Sequence, residues 1–404
     1  MNGNKLEGQT MRVMFVDDEP QVLRAISRML DCADVDWDFG TASNGREAIG
    51  ALQANDVDIL VTDMRMPGMD GATLLDHVSR QSPGTSRIIL SGQADRDTMY
   101  RAALPMHQFL SKPCDAKTLR DVLARTDAIR NAFGCADTHR VVGQISSLPT
   151  TPGLLERVVA EVNSRNGSIQ KVGALIACDP GLTAKTLQLA NSAMFGYNGS
   201  EYSATQAARA IGIDAMQALV AMLEHFSPME IPEGSGFCIE QHAAHAQRVA
   251  RIGCKIAQTE GWSIQLQREA YTAGLLHDIG RLISVCHSRV SRPLVGATAL
   301  GSDSFWRTEV GIDEICDDKL GAYLLGLWGL PSEIVQAVAL HQRPTECPLD
   351  RPSAAAVVCA ADCIAHERSD PWSDRDIEHC EDLLSRLGLS GRLNTWRTAV
   401  TDEE

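Results

Sequence analysis

The chain has 404 residues, of which 44% are hydrophobic and 22% charged, and a formal net charge of -15. That length exceeds one ordinary core and predicts two or three domains, two being the simplest count. The excess of carboxylates repels phosphate backbones, and no Lys/Arg stripe offsets it, so direct nucleic-acid binding is not expected.

The apolar runs fall short of the roughly 20 residues of a membrane span. The segment MNGNKLEGQTMR has no apolar h-region and reads as a short disordered lead-in. The twelve cysteines are scattered singly without a CxxC pair, as expected of reduced thiols in cytosol. A cytoplasmic protein without membrane contact follows. Cys359 and Cys363, one helical turn apart, read as small core residues and not as ligands.

From Met11 to about Thr126, short apolar runs alternate with longer amphipathic ones. RVMFV (12–16), DILVT (58–62) and RIILS (87–91) read as buried strands, with weaker ones around Phe39 and at HQFL (107–110). Helical stretches begin near Pro20, Asn44, Gly71 and Asp95. Asp115 caps a further helix through Leu119, Val122 and Leu123 towards Phe133. Alternation of this kind predicts an α/β doubly wound parallel sheet of five strands, with ligands beyond the carboxyl ends of the strands.

After Gly134 the texture changes. GQISSLPTTPG (143–153) reads as a boundary loop. Beyond it, Ala- and Leu-rich segments are separated by DPG (179–181), FGYNG (195–199) and SPMEIPEGSG (227–236), which predicts an all-helical domain. The expected division is 11–126 for the α/β domain, 127–142 for a helical linker, 143–366 for the helical domain, and 367–404 for a helical extension and frayed acidic tail.

Asp17 and Asp18 follow the first strand, and Asp63 ends the third. A doubly wound sheet brings both strand ends to one edge, where three carboxylates repel one another unless a divalent cation is bound, and oxygen ligands with room for water suit Mg²⁺. Ser91 and Lys112, at two further strand ends, add a hydroxyl and a fixed positive charge. A carboxylate nucleophile, a metal, a hydroxyl and an ammonium are the parts that stabilise a transferring phosphoryl group.

This constellation resembles the receiver domain of two-component response regulators over about residues 11–126, a flavodoxin-like fold. The resemblance implies that Asp63 is the phospho-acceptor, supplied by a sensor histidine kinase. It implies that Asp18, Asp63 and the Arg65 carbonyl hold Mg²⁺, with Asp17 acting through water, and that Ser91 and Lys112 contact the phosphoryl oxygens. Phe109 matches the family's switch aromatic, and the family's cis peptide maps onto Lys112 and Pro113.

In the second half, AGLLHDIGRLI (273–283) places His277 beside Asp278. With His245 upstream and Asp362 downstream on other predicted helices, two histidines and two carboxylates would suit a divalent transition ion acting on a phosphate ester. His341 is a candidate fifth contributor. His242 reads as a partly exposed polar side chain, Trp262 and Trp328 as packing, and His225 and His287 as core or cap residues.

This region resembles the HD superfamily of metal-dependent phosphohydrolases, and more closely its HDOD branch, the HD-related output domain, from about Ile145 to Asp362. The stretches that carry the resemblance are IACDPGLTAKTLQLANSAMFG (176–196), SATQAARAIG (203–212) and LGAYLLGLWGLPSEIVQAVALH (320–341). The HDOD branch implies an output or interaction module that binds a downstream protein or a nucleotide ligand, with a homodimer left open. The superfamily's ligand order implies the alternative, a receiver-controlled phosphohydrolase acting on a cyclic dinucleotide or nucleotide. Gln342 stands where many relatives have a second histidine, Asp317 where a histidine is common, and no GYP segment follows His341, all of which favour the non-catalytic reading.

Overall fold

The computed structural model describes residues 10–31, 37–92, 101–192, 202–225, 231, 235–287, 316–343, 346–347, 352–366 and 374–401. The chain divides into two compact units. One comprises Met1–Ser146 with Gln188–Gly199 and Gly326–Gly329, the other Ser147–Leu187, Ser200–Leu325 and Leu330–Glu404.

The first unit is built on β1 (Met11–Val16), β2 (Trp37–Ala42), β3 (Ile59–Thr62), β4 (Ser86–Ser91) and β5 (Gln108–Ser111), interleaved with α1 (Pro20–Asp31), α2 (Gly45–Ala54) and α3 (Gly71–Gln81). All pairings are parallel and the order is β2-β1-β3-β4-β5, the doubly wound sheet expected from the alternation of short and long apolar runs. The residues of β3 and β4 are buried throughout because helices cover both faces, which is why their sequences are continuous apolar runs and do not alternate. Phe15, Ile59, Val61, Ile88, Leu119 and Leu123 lie in the core on one side of the sheet. The weak strand signal around Phe39 is a full six-residue strand, half exposed at the sheet edge.

Helix starts are fixed by side-chain caps. Asn44, Asp70 and Asp115 each accept a hydrogen bond from the backbone N–H three residues on, satisfying donors that a first turn leaves without partners. The helix expected near Asp95 falls largely outside the described residues, although 101–103 are helical. Asp115 opens α4 (Ala116–Phe133), and after a break at Gly134 follows α5 (Ala136–Gly143).

Two buried arginines hold these helices to the amino-terminal edge of the sheet. Arg130 donates to Gly84 O at 2.7 Å and pairs with Asp58 at 2.7 Å. Arg87, 1% exposed, donates to Pro105 O and to Gly143 O.

In the second unit the described residues form no strand. Its helices are α6 (Leu154–Val162), α7 (Ile169–Ile176), α8 (Pro180–Ala190), α9 (Ala204–Ile211), α10 (Ile213–His225), α11 (Ile239–Thr259), α12 (Ile264–Leu276), α13 (Ile279–His287), α14 (Asp317–Leu327), α15 (Ser332–Leu340), α16 (Ala354–His366), α17 (Asp374–Arg386) and α18 (Arg392–Thr401). This is the all-helical domain expected from the Ala- and Leu-rich pattern.

Asp179, almost fully buried, explains part of the CDPGL stretch. It accepts from the Leu182 N–H, opening α8, and from the Thr151 N–H and hydroxyl, which tie down the preceding loop. Cys359 and Cys363 are buried at 1% and 0% exposure, in keeping with core packing. Trp396 and Arg392 on α18 both donate to Glu260 at the end of α11, so the carboxyl-terminal helices are docked parts of this unit. Among the described residues no helix is long and apolar enough to cross a membrane.

Candidate functional site

The register of the sheet assembles the first candidate site. Val16 pairs with Thr62 and Thr62 with Ile89, while β4 and β5 run two residues further, to the pair Ser91 and Ser111, so Asp17, Asp63, Ser91 and Lys112 emerge along one edge. Lys112 Nζ lies 2.6 Å from Asp17 Oδ2 and 3.0 Å from Asp63 Oδ1.

Burial works against the Lys112 ammonium, but its hydrogen bonds to Asp17 and Asp63 and their charge outweigh it, so its pKa is raised. The second oxygen of each carboxylate is fixed by backbone. Asp17 Oδ1 accepts from the Glu19 N–H at 2.9 Å, and Asp63 Oδ2 from the Arg65 N–H at 3.1 Å.

Asp17 and Ser91 are buried, Asp18 is half-buried and Arg65 exposed. Phe109 is 6% exposed, so its ring is packed inward. The Lys112–Pro113 peptide is cis. Two clustered carboxylates with a third beside them in sequence, held by one ammonium, fit a hard divalent cation. Of the expected oxygen donors, Asp17 and Asp63 are the two that the structure brings together, at Lys112.

The second candidate site lies in the helical unit. α12 ends at His277 and is pressed against α11: a Cβ on Gly274 would meet Ala250 Cα at 2.8 Å and Ala250 N at 2.9 Å. Only glycine allows the two backbones to come this close, and the approach brings His277 to His245. Their Nε2 atoms are 3.3 Å apart.

Around them, His245 Nε2 is 3.1 Å and His277 Nε2 3.6 Å from Asp362 Oδ1. His277 Nε2 is 3.4 Å from Asp278 Oδ2, and His341 Nε2 is 3.5 Å from Asp278 Oδ1. Thus His245, His277, Asp278, His341 and Asp362, from four separate places in the sequence, converge, in two overlapping sets of three that share His277.

The protonation of two rings follows from their outer hydrogen bonds. His277 Nδ1 is 2.7 Å from Gly274 O and His341 Nδ1 is 2.8 Å from Val338 O. A carbonyl can only accept, so each Nδ1 carries the hydrogen and each ring turns Nε2 inward, bare whenever the ring is neutral. Bare nitrogens facing carboxylate oxygens repel unless a proton or a cation lies between them. His341 Nε2, buried, makes no hydrogen bond. Imidazoles oriented by backbone carbonyls, with inward nitrogens beside carboxylates, are the arrangement by which proteins hold a divalent transition ion, so the donor set fits one.

Electrostatics are consistent with this. Burial would raise the Asp278 carboxyl, but the Arg281 guanidinium, His277 and His341 hold it well below the usual carboxylate range. His245 and His341 are raised despite burial by the neighbouring carboxylates, Asp362 foremost for His245 and Asp278 for His341.

His242 is not a partly exposed side chain. It is 7% exposed, packed on Phe237 with ring centroids 5.4 Å apart, and burial lowers its pKa to about 4. Its position three residues before His245 puts it on the inner face of α11, which the sequence pattern around it did not reveal. Trp328 is fully buried. The side chain of His225 lies outside the described residues, and that of His287 is half-buried.

Arg281 was not singled out by sequence. Its signal was its place three residues after Asp278, where a helical side chain returns to the same face, and Nη1 lies 3.1 Å from Asp278 Oδ2.

Comparison with known proteins adds two family matches: the response regulator receiver domain at residues 13–124 and the HDOD domain at residues 148–344. Among curated relatives, the DNA-binding transcriptional regulator NtrC of Salmonella typhimurium is 29% identical over 159 residues, 33% of each chain. A protein-glutamate methylesterase/protein-glutamine glutaminase of Geobacter sulfurreducens is 32% identical over 125 residues, 31% of this chain and 33% of that one. The chain spans about a third of the length of these relatives.

Among solved structures, the signal receiver domain of an HD domain-containing protein from Pseudomonas fluorescens is 25% identical, with a TM-score of 0.29, covering 31% of this chain and 91% of that one. The MmoQ response regulator of Methylococcus capsulatus is 21% identical, with a TM-score of 0.44, covering 62% of this chain and 98% of that one. Receiver domains as a class bind Mg²⁺ and partner with histidine kinases, and HD domains can bind metal. The chain carries a response regulator receiver domain followed by an HDOD domain.

Proposed function

We propose that Asp63 accepts a phosphoryl group from a phosphohistidine of a sensor kinase and that the HDOD domain relays the change by binding a protein or nucleotide ligand. The observation that carries the first half is the placement of Lys112 Nζ between Asp17 and Asp63 at the carboxyl ends of the strands. A carboxylate oxygen of Asp63 attacks phosphorus as the P–N bond breaks, giving an acyl phosphate. Lys112 offsets the charge that collects on the phosphoryl oxygens, and the Ser91 hydroxyl and the inward Phe109 are the groups that respond to it.

Mg²⁺, held by Asp18, Asp63 and the Arg65 carbonyl with Asp17 through water, would supply the remaining positive charge. Acetyl phosphate with Mg²⁺ should label the full chain at Asp63, and Asp63→Asn should abolish the label. Labelling that persists in this variant, or that maps to Asp17 or Asp18, overturns the assignment.

For the HDOD domain we propose that His245, His277, Asp278, Asp362 and His341 form a centre for one divalent transition ion that supports binding and not hydrolysis. The inward, bare nitrogens of His277 and His341 support the ion, and Gln342 and the absence of a GYP segment after His341 weigh against catalysis. The same nitrogens keep a second reading in play, a metal-dependent phosphohydrolase.

The test is metal analysis with turnover assays on cyclic di-GMP, cyclic AMP and generic phosphodiesters in Mn²⁺ or Fe²⁺. Bound metal without turnover supports the binding reading. Metal-dependent turnover abolished by His277→Ala with Asp278→Ala establishes the enzyme.

A further inference from the structure

Asp278 is engaged on both of its oxygens. Oδ1 faces His341 at 3.5 Å, while Oδ2 faces His277 at 3.4 Å and the Arg281 guanidinium at 3.1 Å. A carboxylate used on both sides in this way is what a two-ion centre would employ as its bridge, with ions about 3.5–4 Å apart. Here one side of the bridge already carries a cation.

Arg281 also lies within electrostatic reach of Asp317. The helices α13 and α14 touch at backbone level: a Cβ on Gly280 would lie 1.8 Å from Asp317 O and 3.0 Å from Gly321 N. This contact sets Asp317, the first residue of α14, against α13 and within electrostatic reach of Arg281. The Asp317 carboxyl accepts from the Ser284 hydroxyl. Burial raises its pKa, and Ser284 and the Arg281 charge act against that rise.

Charge counting then discriminates between one ion and two. With the histidines neutral, Asp278 and Asp362 balance one divalent ion, and Asp317 balances Arg281. A second divalent ion would leave two positive charges uncompensated beside a carboxylate that is 4% exposed, a costly arrangement at low dielectric. The guanidinium cannot relieve it by losing a proton, because arginine stays charged throughout the range in which proteins fold.

We propose that Arg281 is a resident cation that fills, on Asp278 Oδ2, the place a second metal ion would take, so that the HDOD centre holds a single divalent ion. This rests on the reading that the centre holds a metal at all. Arg281 acts here as a positioning and charge-balancing residue. It makes the centre mononuclear without removing any of the five donors.

The test is metal stoichiometry of the full chain in an Asp18→Ala/Asp63→Asn background, which removes receiver carboxylates from the count. Each protein is saturated with Mn²⁺, freed of loose ion, and read by elemental analysis and by electron paramagnetic resonance. The parent chain and Arg281→Lys, which keeps the charge, should each hold one Mn²⁺ with the spectrum of an isolated ion. Arg281→Met should hold two, with the altered spectrum of a coupled pair, and Arg281→Gln repeats the measurement should the Met variant not fold.

Two ions in the parent chain overturn the proposal, as does one ion in both neutral variants. No ion in any of these proteins overturns the underlying metal reading, a result distinct from either. No ion in the parent but one in Arg281→Met also refutes the proposal, since Arg281 would then replace the only ion and not a second.

Discussion

Replacing Lys112 with Met retains most of the side-chain volume and removes the positive charge that bridges Asp17 and Asp63. At about 3 Å and an effective dielectric of about 20, each lysine–carboxylate pair is worth roughly 5 kcal/mol of direct attraction, most of it offset by the cost of taking the charges out of water. Removing one partner of a buried pair typically costs about 3–5 kcal/mol. The Lys112 side chain is 22% exposed while Asp17 and Asp63 are 4% and 11% exposed, so partial screening brings the expectation to about 2–3 kcal/mol.

Hydrogen exchange on the full chain in EDTA reads this locally, through the amides of β1 and β3. Opening by 2–3 kcal/mol corresponds to roughly 30- to 150-fold faster exchange wherever protection depends on opening of this domain. Mg²⁺ should recover part of the loss, because it replaces one cation by another, and acetyl phosphate labelling should fall sharply even so. Exchange within twofold of the parent chain in EDTA would mean that the ammonium is not what holds the two carboxylates together.

Three further outcomes follow from the same geometry. Asp18→Ala should weaken Mg²⁺ binding and slow labelling of Asp63 while the metal-free melting temperature holds or rises, since one like charge leaves the cluster; a marked fall would make Asp18 structural. Burial, and the Arg130 charge after it, lower the His139 pKa to about 4, so its neutral form stabilises α5 above pH 6.5 and that contribution is lost as pH falls from 6.5 towards 4. His139→Asn should therefore flatten this part of the acid limb in a stability-against-pH measurement. Gly274→Val should cost about 1–3 kcal/mol by forcing α12 off α11 and should weaken Mn²⁺ binding at the HDOD centre, with unchanged Mn²⁺ affinity counting against the role of that contact.

The α/β unit was legible because its determinants are local. Continuous apolar runs of five residues between turn residues mark strands covered on both faces, Asn44, Asp70 and Asp115 mark helix starts, and parallel pairing then carries Asp17, Asp63, Ser91 and Lys112 to one edge. β2 was faint because it is an edge strand whose exposed positions carry Asp38, Gly40 and Thr41. In the helical unit the individual helices were readable but their mutual approach was not. His242 was misjudged for that reason: it shares a helix face with His245, but its burial depends on Phe237 and on helices distant in sequence.

The HD dipeptide alone says little about an ion, because a buried His–Asp pair can equally be a hydrogen-bonded core feature. What distinguishes the two is the set of groups behind the dipeptide. Gly274 supplies both the close approach of α12 to α11 and, through its carbonyl, the acceptor that fixes the His277 tautomer. Gly280 lets α14 in and so brings Asp317 within electrostatic reach of Arg281. On the proposed reading, the residues that set whether the centre binds one ion, two or none are therefore two glycines and an arginine, none of which is a ligand. Substitution there should change metal stoichiometry or affinity while leaving all five donors in the chain, and a ligand-only description of the centre predicts no such change.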